Sequence, residues 1–266
     1  MDDRSATVRS RIVPVYGAYE PGMKVADLHI HTRHSDGWWR PEALAEAAVA
    51  AGLSAIAVTD HDSVAAGFEV AAYCERTNLP LMVYPGSEIS AREGPGDAHV
   101  IGLNLQDEVR PWQPIAQTVE DILAQGGIPM MPHPKPDGHG RPSHSAILAI
   151  DVPVAIEVYN SGMEDLRWVR EKRGGPDINR AALEFYVRHQ DRFLGAAGGT
   201  DAHFRTVGRG LTAYHGDLLE AITERRTVVI RVPDREQLMP WDPVGYWRGL
   251  KRMARRRALH WGERPR

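Results

Sequence analysis

Short apolar runs alternate with helical patterns along most of this chain. Runs at 25–30, 55–59, 81–84, 99–103, 128–131, 152–158 and 193–197 are of strand length and rich in Val, Ile, Leu and Ala, and they read as seven strands. Helical stretches lie between them. One is Ala-rich, opens at Pro41 and stops at Gly52; another covers 63–77 with Ser63 as its cap; two more cover 115–125 and 178–189. A helix at 217–224 and a strand-like run at 227–232 complete the pattern. This βα alternation predicts an α/β fold with a largely parallel sheet, closed or nearly closed into a barrel. The Pro-, Gly- and His-rich segment 132–145 is the clearest functional loop. The expected organisation is one barrel over residues 1–243, with a basic helix and tail at 244–266 packed on it.

Composition alters this picture in only a few places. The chain has 266 residues, 42% hydrophobic and 25% charged, which are ordinary values for a globular protein with one large core. Cys74 is its lone cysteine, so neither an internal disulfide nor a thiolate metal site is expected. The opening MDDRSATVRSR lacks a signal peptide's apolar core, and no run approaches the roughly 20 apolar residues of a membrane span. A cytoplasmic protein without membrane contact is therefore expected. The net charge of −3 is unevenly spread, because residues 248–266 carry eight Lys or Arg against Glu263 alone. The acidic remainder argues against a general nucleic-acid coat. In the basic tail, Tyr246, Leu250, Met253, Ala254, Ala258 and Trp261 follow helical spacing. That stripe suits a helix packed on the barrel with its basic face in solvent; the alternative is a surface for a polyanion such as RNA.

The twelve histidines carry the main clue through their placement. Asp27, His29 and His31 alternate along a strand and share one face. Two adjacent imidazoles at a strand end suit a transition metal, with Asp27 expected to orient one ring. Ser35-Asp36-Gly37 follows in the same loop. The second strand ends in Thr59-Asp60-His61-Asp62 and the third in Gly86-Ser87-Glu88. His99 lies in the fourth, the fifth runs into Pro132-His133-Pro134, and the seventh into Thr200-Asp201-Ala202-His203. In a parallel barrel the C-terminal strand ends open onto one face. Nine side chains should meet there: His29, His31, Asp36, His61, Glu88, His99, His133, Asp201 and His203. One ion takes about four to six ligands, so nine residues imply two or three divalent ions; imidazole and carboxylate without sulfur fit Zn, Mn or Fe. Three carboxylates offset only half the charge of three such ions. The cationic remainder favours a phosphate ester.

Taken in order and spacing, DLHIHTRHSDG, VTDHDS, GSEIS, AHVIGL, PHP, IEVYN and GGTDAH resemble the PHP (polymerase and histidinol phosphatase) family, over residues 25–203. The resemblance implies a distorted seven-stranded βα barrel with a two- or three-metal centre. It implies that Glu88 bridges two ions, with His29, His31 and Asp201 on one and His99 and His133 on another. Asp36, His61 and His203 would hold a third, and Glu88, Asp36 and His61 would be the catalytic members of the set. The chain does not look like the polymerase-attached members, and only a short stretch separates His99 from Met131. IEVYNS looks like the small stand-alone phosphoesterases. The activity expected is hydrolysis of a small phosphomonoester or cyclic phosphodiester, a nucleotide or sugar phosphate. Its nucleophile would be a metal-bound hydroxide, formed as the pKa of bound water falls from about 15.7 to about 7. Carbamate or ester hydrolysis on the same barrel, and a non-catalytic anion-binding module, are the alternatives.

For substrate binding the sequence offers Arg141 and Arg205, with Lys135 and Arg209 also near ligand positions. His34 and His144 are either proton donors or structural. Tyr159 and Asn160 either line the pocket or cap the next segment. Trp38 and Trp39 either stack on a substrate ring or pack against the first helix.

Overall fold

A computed structural model describes residues 12–203, 207–233 and 251. The described residues form, in order, β1 (Val13–Tyr16), β2 (Lys24–Asp27), α1 (Pro41–Ala50), β3 (Ala55–Val58) and α2 (Ala65–Thr77). Next come β4 (Met82–Glu93), β5 (Gly96–Leu103), β6 (Gln113–Pro114), α3 (Ile115–Ala124) and β7 (Ile128–Met131). Then follow α4 (His144–Leu148), β8 (Ala155–Asn160), α5 (Ser161–Asp165), α6 (Arg167–Lys172) and α7 (Ile178–His189). After these come β9 (Ala196–Gly199), β10 (Gly210–Tyr214), α8 (Leu218–Thr223) and β11 (Val228–Arg231). Apart from Lys251, which is helical and exposed, the expected helix and tail at 244–266 lie outside the described residues.

Local chemistry explains most helix ends. Pro41 opens α1 with its φ already helical, and the carboxylates of Asp177 and Asp217 cap α7 and α8 by accepting from Arg180 N and Glu220 N. Ser63 accepts from Ala65 N at 3.3 Å, although α2 begins only at Ala65. On α3 the buried residues Ile115, Thr118, Val119 and Ile122 recur at helical spacing and face the sheet.

One sheet runs in the order β1-β11-β10-β2-β3-β4-β5-β7-β8-β9, with β6 beside β4. The pairs β2–β3, β3–β4, β7–β8 and β8–β9 are parallel as expected. After β2 and β9 the chain ends meet through an Ile30–Ala202 bridge, which nearly closes the barrel. Leu28 and Ile30 point away from the polar face. Ile30 packs with Leu44 and Ala45 of α1, and Leu28 with Leu218 and Ile222 of α8.

The structure corrects the strand count and shows where the largely parallel sheet turns antiparallel. Among the described residues eleven strands form, and β1, β6 and β10 fall outside the expected set. The third and fourth expected strands form one long hairpin, β4 antiparallel to β5 from Gly86–Leu103 down to Glu93–Gly96. Its tip is the two-residue loop Gly94-Pro95, with Gly94 at φ +57, a backbone that such tight loops favour. The pattern stopped at 84 because Gly86, Ser87 and Glu88 read as a strand end. Cross-strand pairing carries the strand through them to Glu93. Among the described residues, no helix is long and apolar enough to cross a membrane.

Candidate metal centre

The near-closure of the barrel is what assembles the site. Beside the Ile30–Ala202 bridge, His31 N donates to Ala202 O at 3.1 Å and Asp201 N to His29 O at 2.7 Å. His29 and His31 are thereby laid against Asp201 and His203. The loop carrying Asp36 is tied down by the buried Asp60, whose carboxylate accepts from Thr32 N, Thr32 Oγ1, Ser35 N and Ser35 Oγ at 2.5–3.0 Å. A bridge between His61 and Glu88 fixes those two side by side. His133 follows β7 with φ +33, and Asp201 follows β9 with φ +55. Left-handed backbone at residues other than glycine costs of order 1–3 kcal/mol and marks functional sites when the surroundings hold it.

In that loop a Cβ on Gly37 would overlap the His31 carbonyl oxygen. Gly37→Ala should therefore cost about 1–3 kcal/mol, read as a lower denaturation midpoint. An unchanged midpoint would mean that the loop accommodates the methyl group.

All nine predicted side chains converge. Glu88 Oε2 lies 3.3 Å from His29 Nε2, 3.2 Å from His31 Nε2 and 3.5 Å from His61 Nδ1. Its Oε1 lies 2.9 Å from His99 Nδ1 and 3.4 Å from His133 Nε2. Asp201 Oδ1 stands 3.3 Å from His31 Nε2 and 3.4 Å from His203 Nδ1. Asp36 Oδ2 stands 3.2 Å from His203 Nε2 and 3.6 Å from His61 Nε2. His29, His31 and Asp201 present ligand atoms within 4.8 Å of one another, as do His31, Asp36, His61 and His203. The remaining groups divide otherwise than the resemblance implies: His99 joins His61 and Glu88, whereas His133 joins His29 and Glu88.

Divalent ions fit this donor set. His31 Nδ1, His61 Nδ1 and Glu88 Oε1 are buried without a hydrogen bond; even the 2.9 Å approach of His99 Nδ1 to Glu88 Oε1 is not directed as one. Burying such atoms unsatisfied is costly, and cations held by the groups these residues form would offer them partners. The electrostatics agree. Burial alone would raise the Glu88 carboxyl, but His99, His61 and His29 outweigh it and hold it well below the usual range. Burial would likewise depress His31, yet Asp201 and Glu88 raise it to about 10. Burial dominates at His61, which falls to about 3.

The sequence profile of the PHP domain family matches residues 27–225. The chain belongs to the PHP domain family. This PHP domain is 41% identical over 81 residues to the 5′-3′ exoribonuclease of Escherichia coli strain K12, across 30% of this chain and 28% of that enzyme. It is 35% identical over 83 residues to the 3′,5′-nucleoside bisphosphate phosphatase of Chromobacterium violaceum, across 31% of this chain and 28% of that one. This chain thus spans under a third of either relative's length. In structure it matches a two-domain Bacteroides vulgatus protein containing a predicted PHP-like metal-dependent phosphoesterase. The TM-score is 0.54 at 21% identity, covering 80% of this chain and 67% of that one. The barrel is the distorted PHP type.

Around the cluster, the PHP domain places the other candidates unevenly. A cavity of about 530 Å³ is lined by His61, Glu88, His99, His133, Lys135 and Arg141, among others. Lys135 Nζ donates to Arg141 O at 2.8 Å, which shapes the loop beneath the guanidinium. Arg209 lines a second cavity of about 380 Å³ and forks onto Asp165 at 2.8 and 3.2 Å. Arg205 lies outside the described residues. His34 pairs with Glu69 at 2.8 Å, and His144 stacks on Phe185 with ring centroids 4.0 Å apart. Trp39 is core, packed near Leu44 and Ala45. Tyr159 is buried, with its hydroxyl on Glu164. Asn160 caps α5 by accepting from Met163 N at 2.9 Å. Cys74 is buried on α2.

Asp27 departs from expectation. Its carboxylate accepts from Thr200 N at 2.9 Å, Thr200 Oγ1 and Gly208 N at 2.8 Å, so it ties β2 to the segments after β9 and does not reach an imidazole. Burial, partly offset by these hydrogen bonds, pushes it up to about 6. The carboxylate on His29 is that of Glu157, with Oε1 3.0 Å from His29 Nδ1. The signal for it was in plain view: one acid inside the otherwise apolar run AIEV, where a charge is rarely buried unpaired.

Proposed function

We propose that this PHP domain is a metal-dependent phosphoric ester hydrolase that acts on a small phosphomonoester or cyclic phosphodiester. The observation that carries the reading is the convergence of nine ligand-type side chains around buried, unsatisfied nitrogen and oxygen atoms. His29, His31, Asp36, His61, Glu88, His99, His133, Asp201 and His203 would hold two or three divalent ions, Mn, Fe or Zn. When bound, such ions supply positive charge to a phosphoryl group and acidify water. The chain's own residues do the rest. Glu88, with one oxygen toward each side of the cluster, keeps the two sides together, and Asp36 joins His61 to His203, its Oδ2 3.6 and 3.2 Å from their Nε2 atoms. The names of the two relatives, an exoribonuclease and a nucleoside bisphosphate phosphatase, both describe nucleotide phosphoesters, which favours the nucleotide arm over a sugar phosphate. A cavity of about 530 Å³ is within the ordinary size range for small-molecule sites.

Arg141 is the substrate-reading cation in this proposal. It lines the same cavity as His99 and His133, and its Nε stands 3.8 Å from Glu93 Oε1, too far for a firm hydrogen bond that would hold it off an anion. Arg141→Ala should raise KM about ten- to a hundredfold with little change in kcat, as expected when one charged hydrogen bond of roughly 1.5–3 kcal/mol is lost from ground and transition states alike. Steady-state kinetics with unchanged KM would remove Arg141 from the site. The reaction class is tested by comparing p-nitrophenyl phosphate, bis-p-nitrophenyl phosphate and p-nitrophenyl acetate with Mn, Fe or Zn added. Turnover of the phosphate esters is expected; turnover of the acetate alone would point to a carbonyl hydrolase instead.

A further inference from the structure

We infer that Glu157 is a positioning residue that selects the nitrogen His29 offers to the metal centre and joins three ligand-bearing segments through one carboxylate. The inference rests on the metal-centre reading proposed above. Glu157 lies on β8 with its side chain fully buried. Its Oε1 is 3.0 Å from His29 Nδ1, and its Oε2 accepts from His133 N at 2.8 Å and from Asn160 Nδ2 at 3.0 Å. Asn160 Nδ2 also lies 3.2 Å from Asp201 Oδ2. One acid therefore reaches the His29 ring, the left-handed backbone of His133 and, through an amide, the Asp201 side chain.

The direction of each contact matters. A carboxylate only accepts, so the His29 nitrogen facing it must carry the proton. That leaves Nε2 as the lone-pair nitrogen, and Nε2 is the atom 3.3 Å from Glu88 Oε2 and 3.5 Å from Asp201 Oδ1. Without Glu157 either tautomer would be available, and half of the choices would turn an N–H toward the ions. The negative partner also makes the ring a better donor. At His133 the same carboxylate secures a backbone at φ +33 that would otherwise relax and swing the imidazole.

The packing leaves room for this pair deliberately little. A Cβ on Gly199 of β9 would sit 2.5 Å from Glu157 Oε1 and 2.5 Å from His29 Cβ. Glycine at 199 is what lets Glu157 and His29 meet, which accounts for one glycine of the GGTDAH run. Gly199→Ala is thus a second perturbation of the same contact from the opposite side.

Two consequences separate positioning from bulk stability. The effect should be local: weaker binding in the groups that share His29, with His31 and Asp201 or with His133 and Glu88, and unchanged binding where Asp36, His61 and His203 meet. The His29 tautomer should also be a property of the unmutated chain.

The test uses the full chain and Zn2+ alone, with affinities from chelator competition and ring protonation from nitrogen-15 correlation spectra of histidine-labelled protein. In the wild type loaded with Zn2+, His29 should show a proton on Nδ1 and none on Nε2. Glu157→Gln should weaken one class of sites about ten- to a hundredfold while the other class keeps its affinity, and Gly199→Ala should shift the same class in the same direction. A wild-type spectrum with the proton on Nε2 overturns the inference with no variant needed. Equal Zn2+ affinities in wild type and Glu157→Gln, or an equal loss in every class, overturn it while leaving the metal centre standing. A wild-type chain that binds no Zn2+ overturns the metal-centre reading itself, and this inference with it.

Discussion

Glu88→Gln is expected to lower kcat/KM by about a thousandfold, equivalent to about 4 kcal/mol of transition-state stabilisation, and to lower bound metal. The reason is geometric. Glu88 Oε2 faces His29, His31 and His61, while Oε1 faces His99 and His133. A glutamine keeps the shape but replaces one oxygen with an NH2 that cannot ligate, and it removes the charge on which five imidazoles converge. Whichever way the amide turns, one side of the cluster loses a donor. His144→Ala provides the contrast. His144 stacks on Phe185 and lines neither cavity described above, so turnover should stay within about twofold. Near-normal turnover and full metal content in Glu88→Gln would show that no ion depends on that carboxylate.

Exhaustive chelation should abolish activity and lower the melting temperature by roughly 10 °C. A site held at a thousand times its Kd adds about 4 kcal/mol to stability, and a domain of this size shifts by roughly 2–4 °C per kcal/mol. The cluster is also charge-paired within itself. Histidines and carboxylates are intermixed there, so Asp201 and Glu88 hold His31 protonated, with its pKa raised to about 10. Metal uptake must displace such protons, and affinity should therefore weaken as pH falls. Scanning fluorimetry and turnover would be measured after chelation and again after adding back Mn, Fe or Zn. An unchanged melting temperature with full turnover, at less than one ion per chain by elemental analysis, would sink the metal requirement.

The nine candidate ligands were legible in the sequence because each falls at or beside an apolar run of strand length, and strand ends in a βα barrel share a face. Runs 25–30 and 55–59 found β2 and β3 with their His-bearing ends, since an apolar run of strand length is a local property of the chain. What lay between strands was less legible. Glu88 read as a strand end but lies inside β4, because the hairpin with β5 depends on pairing that no single run records. β10 escaped notice, although Thr212 and Ala213 pair with Ala26 and Val25 of β2, a partnership far apart in sequence.

The roles of the buried acids were settled only by tertiary structure. Asp27 stands two residues from His29 and was expected to orient one ring, yet within that residue it accepts only from the backbone N–H, at 3.4 Å. Its carboxylate turns to Thr200 and Gly208 instead. Glu157 stands 128 residues from His29 and meets it because β8 and β9 bring it under the ring, with Gly199 leaving the space. Residue type and spacing determine which groups can ligate. Which acid holds which imidazole is decided by strand order and by the small residues that let two side chains approach, and those are properties of the closed barrel.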